Sequence, residues 1–255
     1  MSKTRRDFMH LAAVSAAATG TAIASAGAAA APAATIKAVA FDGFALIDPR
    51  PVAARAEAMF AEHGKSLMAA WRTHQFGYAW LRTLGGQYVD FWRVTQDALE
   101  ASARTLKLSL TASERDALMQ TYLELKAWPD AAPVLRRLKD AGLKLAFLSN
   151  FTAAMLDAAA RNSGLEGLLE AHLSTDRVQA YKPDPRAYAM ALDAFGLRRN
   201  EIAFVAFAGW DLAGAKWFGY PTYWANRAAA PADQLGVTAD AEATDLSQLA
   251  AFVEA

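Results

Sequence analysis

At 255 residues the chain is long enough for one large domain, or for a core carrying a smaller insert. Its 54% hydrophobic and 20% charged residues supply a substantial core, and 26 basic residues balance 26 acidic ones, so no basic excess points to nucleic acid. The absence of cysteine excludes disulfides, thiolate nucleophiles and Cys-ligated metals.

Residues 1–34 stand apart from the fold. Thr4-Arg5-Arg6-Asp7-Phe8-Met9 places paired arginines ahead of a weakly apolar Ala/Gly-rich run from Leu11, and Ala22, Ala24, Ala26 and Ala28 offer A-x-A cleavage sites. The segment resembles a twin-arginine export signal, which implies the twin-arginine export machinery as a partner and a periplasmic mature protein. The competing reading is a membrane anchor. Alanine and glycine contribute little insertion energy, however, and leucine is nearly absent, so no stable membrane association is expected. The four histidines, His10, His63, His74 and His172, show no i, i+4 pairing, and no His-based metal site is expected.

Ala38-Val39-Ala40-Phe41 then runs straight into Asp42-Gly43. A short apolar run bounded by a turn signal reads as a buried parallel strand, and ligands of open α/β sheets bind beyond the carboxyl ends of such strands. Asp42 is thus either the floor of a site or the cap of a turn. Asp48-Pro49-Arg50-Pro51 is a breaker. Apolar residues at helical spacing predict helices over 52–63, 67–84, 89–106 and 112–126. Gly85-Gly86 separates the second from the third, and Thr111-Ala112-Ser113-Glu114 opens the fourth with capping-box spacing.

From Trp128-Pro129-Asp130 the pattern alternates. Helix 132–141 is closed by Gly142, strand 143–148 follows, and helix 153–162 ends at Gly164. A short segment 172–179 leads to helix 185–196, strand 201–207, helix 212–218, strand 222–225 and a closing helix 246–254; 228–234 is an Ala/Pro loop. Alternating β and α predicts an α/β fold, a doubly wound parallel sheet covered by helices. The domains expected are a core of 35–50 and 128–255 and an inserted helical block of 51–127.

Four strand ends in this pattern are read as carrying polar residues: Asp42, then Ser149-Asn150 after Leu145-Ala146-Phe147-Leu148, then Lys182-Pro183 ahead of Pro185, then Trp210-Asp211. In that order, and over the whole mature chain, they resemble the haloacid dehalogenase superfamily, whose core is Rossmann-like with an inserted α-helical cap. Phosphatases of the superfamily place a second carboxylate two positions after the nucleophile, where Phe44 stands here. Their fourth motif supplies paired acids for Mg²⁺, where here Trp210 precedes a single Asp211. The chain therefore resembles the L-2-haloacid dehalogenase family more closely. Trp71-Arg72-Thr73-His74-Gln75-Phe76 and Tyr78-Ala79-Trp80-Leu81-Arg82-Thr83-Leu84 look like that family's cap. Arg72, lodged among Trp71, Phe76 and Trp80, reads as an anion cradle rather than a surface cation.

The resemblance implies metal-independent, cofactor-free hydrolysis of short 2-haloalkanoic acids, such as haloacetates and 2-halopropionate, to 2-hydroxy acids. Asp42 would attack the halogen-bearing carbon and form an ester that water cleaves. Lys182 would hold the nucleophile's charge, and Asp211 would orient Lys182 and help activate water. Arg72 and Asn150 would receive the halide, Ser149 the substrate carboxylate, and Phe44, Phe91 and Trp210 would wall the pocket. Tyr188 also matches the family pattern, although by itself it reads as a packed helix tyrosine. The family likeness further implies a homodimer. The sequence departs from the pattern at Ala45-Leu46, in place of Gly-Thr, and at Ala206 and Ala208, in place of serine and asparagine. These losses are expected to enlarge or dry the pocket and to shift substrate choice or slow ester hydrolysis. A phosphatase of the same fold and a weakly catalytic small-carboxylate-binding protein are the rival functions.

Overall fold

The structure is a computed structural model and describes residues 35–255; the export signal expected in 1–34 lies outside them. Six strands form one parallel sheet: β1 (Ala38–Phe41), β2 (Lys144–Ser149), β3 (Ala171–Ser174), β4 (Ile202–Ala206), β5 (Thr222–Ala225) and β6 (Ala241–Ala243), in the order β3-β2-β1-β4-β5-β6. The order reverses at β1, so the first strand is central, with Phe41 opposite Phe147 on β2 and Val205 on β4. A crevice at such a switch point opens beyond the strand ends, which places Asp42 in it.

Strict alternation along the strands builds two cores. Val39, Phe41, Leu145, Phe147 and Val205 face one side, and Ala38, Ala40, Ala146, Leu148 and Phe204 the other. Helices cover both faces, so the strands read as continuous apolar runs rather than alternating ones. Between β1 and β2 lie α1 (Gly43–Leu46), α2 (Arg50–Phe60), α3 (Gly64–Leu84), α4 (Phe91–Thr105), α5 (Ala112–Glu124) and α6 (Ala131–Asp140). α7 (Ala153–Ser163), α8 (Pro185–Phe195), α9 (Gly209–Phe218) and α10 (Leu249–Glu254) complete the chain. Among the described residues no helix is long and apolar enough to cross a membrane.

Several boundaries differ from expectation. Arg50-Pro51 opens α2 instead of breaking the chain, because a proline in the first turn sacrifices no intrahelical bond and Asp48 accepts the Arg50 N–H at 2.9 Å. α9 starts at Gly209, three residues early, which moves Trp210 and Asp211 from a strand end into the first turn of a helix. α1 and β6 escaped the pattern: a single turn and three residues of Ala-Glu-Ala are too short for any period to register. The capping box at Thr111 and Glu114 is present, with Glu114 N–H to Thr111 Oγ1 at 3.2 Å and Thr111 N–H to Glu114 Oε2 at 2.8 Å.

Candidate active site

Asp42 follows β1, with its N–H on the Val205 carbonyl at 2.9 Å. It caps α1, as a turn residue would: Oδ2 accepts the Phe44 N–H at 3.0 Å. Its other oxygen, Oδ1, accepts from Lys182 Nζ at 2.6 Å, and the same ammonium donates to Asp211 Oδ2 at 2.6 Å. One cation therefore lies between two carboxylates. Lys182 does not come from a strand end but from the loop that joins the 3₁₀ turn Thr175–Arg177 to α8. Tyr188 on α8 donates its hydroxyl to Asp211 Oδ1 at 2.7 Å. It is fully buried behind Asp211 and lines no part of the cavity, so it is a positioning residue rather than a substrate contact.

Charge accounting decides what the cluster can do. Burial of the Lys182 ammonium works against its charge, but Asp211 and Asp42 outweigh that and hold its pKa above an ordinary lysine's. With two acids on one cation, one negative charge is surplus. Burial pushes the Asp211 carboxyl up to about 6, with Lys182 pulling it down and Asp42 pushing it up. The side chain of Asp211 is 1% exposed and that of Asp42 is 13% exposed. The deeper acid is thus the one disposed to take a proton near neutral pH, and the shallower one faces the cavity. Burial, with Asp211 next, raises the Tyr188 hydroxyl well above its usual range, so it stays a donor.

The cavity over these groups measures ≈ 20 Å³ and is lined by Asp42, Phe44, Arg72, Ser149, Asn150, Phe91, Trp210 and Asp211, with Phe76, Phe151, Phe207 and Ala208. Eight of the ten residues singled out from the sequence line it; Lys182 lies beneath and Tyr188 behind. Phe44 meets Phe151 edge-on at 4.9 Å, and Phe76, Trp80 and Trp210 pack with ring centroids 5.2–6.1 Å apart. Asn150 Oδ1 accepts the Lys182 N–H at 3.0 Å, which leaves its amide nitrogen for a bound anion. Ser149 Oγ accepts the Phe151 N–H at 3.1 Å and lies 2.7 Å from where a Cβ on residue 43 would stand, so only glycine lets the two strand ends approach this closely. Arg72 sits exposed at the rim.

Some expectations need correction. Trp71 is no part of an anion cradle. It is fully buried and pins α3 to α4 through Nε1 to the Thr95 carbonyl at 2.8 Å. Of the positions that depart from the family pattern, Ala45, Leu46 and Ala206 are packed in the core and only Ala208 faces the cavity. The polar losses therefore do not enlarge the pocket all round; they act at one wall. Ala208 is the N-cap of α9 and, lacking a side-chain acceptor, makes no cap bond.

Sequence patterns did not reveal what holds the turn that follows Asp42. The carbonyls of α1 all have partners: Gly43 from Ile47 N–H at 2.9 Å, Phe44 from Trp128 Nε1 at 3.0 Å, Ala45 from Arg227 Nη2 at 2.9 Å, and Leu46 from Trp128 N–H at 2.9 Å. Arg227 is also paired with Asp130 at 3.0 Å, and the Trp128 ring carries the Arg50 and Arg227 guanidiniums, each 4.6 Å from its centroid. Trp128 had stood out only as a boundary and Arg227 not at all, because partners 84 and 182 residues away leave no local period.

The profile of the haloacid dehalogenase-like hydrolases matches residues 10–219. The chain is 41% identical to the (S)-2-haloacid dehalogenase of Pseudomonas sp. (strain YL) over 86% of this chain and 95% of that one. A crystal structure of an L-2-haloacid dehalogenase superposes with a TM-score of 0.85 at 41% identity, covering 87% of this chain and 100% of the other. The L-2-haloacid dehalogenase of Xanthobacter autotrophicus with chloropropionic acid covalently bound gives a TM-score of 0.78 at 33% identity, covering 86% and 98%.

Proposed function

The chain belongs to the haloacid dehalogenase-like hydrolases, within the L-2-haloacid dehalogenase family, and from that premise we propose that Asp42 carries the reaction as a nucleophile held by Lys182. The protein is a hydrolase of carbon–halide bonds that converts short 2-haloalkanoic acids to 2-hydroxy acids. The observation that carries the assignment of roles is the Lys182 ammonium at 2.6 Å from both Asp42 and Asp211 on the cavity floor.

Asp42 Oδ1 or Oδ2 attacks the carbon bearing the halogen, and the carbon–halogen electron pair leaves with the halide. Asn150 Nδ2 and Arg72 stabilise the charge that develops there. Water then adds to the ester carbonyl of Asp42 while Asp211, with its carboxyl near 6, takes the water's proton. The released alkoxide is protonated, so each turnover yields one hydroxy acid, one halide and one proton. The lysine ammonium lies between the two acids. The small aromatic cavity disfavours bulky substrates.

The test is halide release from chloroacetate and 2-chloropropionate in the presence of a chelator, for the wild type and Asp42→Asn. Loss of release in the variant, with a mass increment on Asp42 trapped in the wild type, supports the assignment; release at the wild-type rate from the variant overturns it. Two further outcomes are expected in the same assay. Gly43→Ala should lower kcat roughly tenfold, because its Cβ displaces Ser149 Oγ. Ala208→Asn should stabilise the protein by about 1 kcal/mol in urea unfolding through the missing cap, and should speed ester hydrolysis by adding a polar group to the only departing position that faces the cavity.

The mature protein works in the periplasm after twin-arginine export. Support comes from Arg5-Arg6 and the Ala/Gly run that follows them. Fractionation of cells making the Arg5→Lys/Arg6→Lys variant tests this: retention in the cytoplasm supports it, and undiminished export overturns it.

A further inference from the structure

Lys182 is the group on which the cluster turns, yet half of the bonds that hold its backbone segment come from outside the α/β core. The four backbone polar groups of Tyr181 and Lys182 all have partners. Tyr181 N–H donates to Thr83 Oγ1 at 3.0 Å, and the Tyr181 carbonyl accepts the Asp184 N–H at 3.0 Å. Lys182 N–H donates to Asn150 Oδ1 at 3.0 Å, and the Lys182 carbonyl accepts from Trp80 Nε1 at 3.2 Å. One of these bonds is local and one comes from the core; the other two come from the last turns of α3, in the helical block.

Thr83 is fixed for this task. Its hydroxyl proton is committed to the Ala79 carbonyl at 2.9 Å, which leaves an oxygen lone pair for the Tyr181 N–H. The block adds a further hold on the same residue, since Tyr181 donates its hydroxyl to the Val89 carbonyl at 2.6 Å and its ring lies 5.0 Å from Tyr88. Tyr88 in turn donates to Asp176, on the turn that leads into the loop. Trp80 does two jobs: its indole N–H holds Lys182 while its ring packs on Phe76 and Trp210 at the cavity wall.

We infer that α3, through Trp80 and Thr83, positions the Lys182 ammonium between Asp42 and Asp211, so that seating of the helical block on the core is a condition of nucleophile activation. Trp80 and Thr83 are positioning residues: neither touches the reacting atoms. This rests on Lys182 serving the Asp42 carboxylate, as set out above. The side chain of Lys182 has no slack, being fully buried with both acids at 2.6 Å, so a shift of the loop is transmitted to the ammonium.

The experiment compares Thr83→Val, Thr83→Ser, Trp80→Phe and Lys182→Met in the otherwise unaltered mature protein, using halide release from 2-chloropropionate across pH, with thermal melts to confirm folding. Thr83→Val is expected to lower kcat about fivefold with KM within twofold of wild type. It should also move the acid limb of kcat/KM toward neutral pH, since a displaced cation favours the carboxylate charge less. Thr83→Ser, which keeps the hydroxyl, should restore both. Trp80→Phe, which keeps the ring and loses the N–H, should shift the limb in the same direction. A Thr83→Val enzyme with wild-type kcat and an unmoved limb overturns the inference while Lys182→Met is inactive. A loss in Thr83→Val that Thr83→Ser shares, with no movement of the limb, overturns it too. Full turnover by Lys182→Met overturns the role of Lys182 and the inference with it.

Discussion

Lys182→Met should lower kcat for 2-chloropropionate by about a thousandfold or more and move what activity remains to higher pH. Both effects follow from one charge. Asp42 and Asp211 each lie 2.6 Å from the ammonium, so its removal leaves two carboxylates within twice that distance and no positive charge between them. Neighbouring acids of this kind share a proton rather than ionise together. A shared proton halves the nucleophile's charge and removes the preorganised cation that steadies it. The fold suffers as well, since breaking a buried ion pair by removing one partner costs roughly 3–5 kcal/mol. Turnover across pH and the urea midpoint measure the two effects separately. A variant that lost stability but kept its pH profile would show that Lys182 is structural only.

Asp211→Asn should stop the cycle at the ester, a different failure from that of Lys182→Met. Asparagine keeps the shape, and its one acceptor oxygen can still take the Lys182 ammonium, but it cannot take the proton from water. Attack by Asp42 survives, so one equivalent of halide should appear in a burst, and a mass increment should persist on the protein. In the wild type, ester hydrolysis should fall as pH drops through about 6, where burial has placed the Asp211 carboxyl, and that limb should be absent from the variant. The same shift has a sign for stability. From the ordinary aspartate value of 3.8 up to about 6, the folded protein binds a proton at Asp211 that the unfolded chain does not. Stability contributed by this group is therefore lost as pH rises through that window. Asp211→Asn, which has no charge to bury, should gain melting temperature relative to the wild type as pH rises through that window.

The sheet was legible because its strands are buried on both faces and its turns are marked by Gly142, Gly164 and Gly196, all at positive φ. Asp42 and Asp211 could be read because apolar runs end on them. Lys182 could be read only in combination, since its own segment is a loop and its strand had ended eight residues before. The supports were not legible. Thr83 and Trp80 look like any residues at the end of an amphipathic helix, and their partners on the Lys182 loop lie about a hundred residues on. Trp71 and Trp80 are nine residues apart on α3, yet one is core and the other reaches the site. Helical periodicity assigns a face to each but cannot say which neighbour will cover it.

The packing of Arg50 and Arg227 against Trp128 gives the turn after Asp42 an optical gauge. Its indole N–H is bonded to the carbonyl of Phe44, two residues from Asp42, and two cations lie against its ring. Excited-state indole is sensitive to nearby charge, so any displacement of this turn as the ester forms alters the emission of Trp128. Of the seven tryptophans in the chain, this one reports on the nucleophile without touching the substrate, so the wild type and Trp128→Phe, compared by stopped flow, would time the covalent step by light alone.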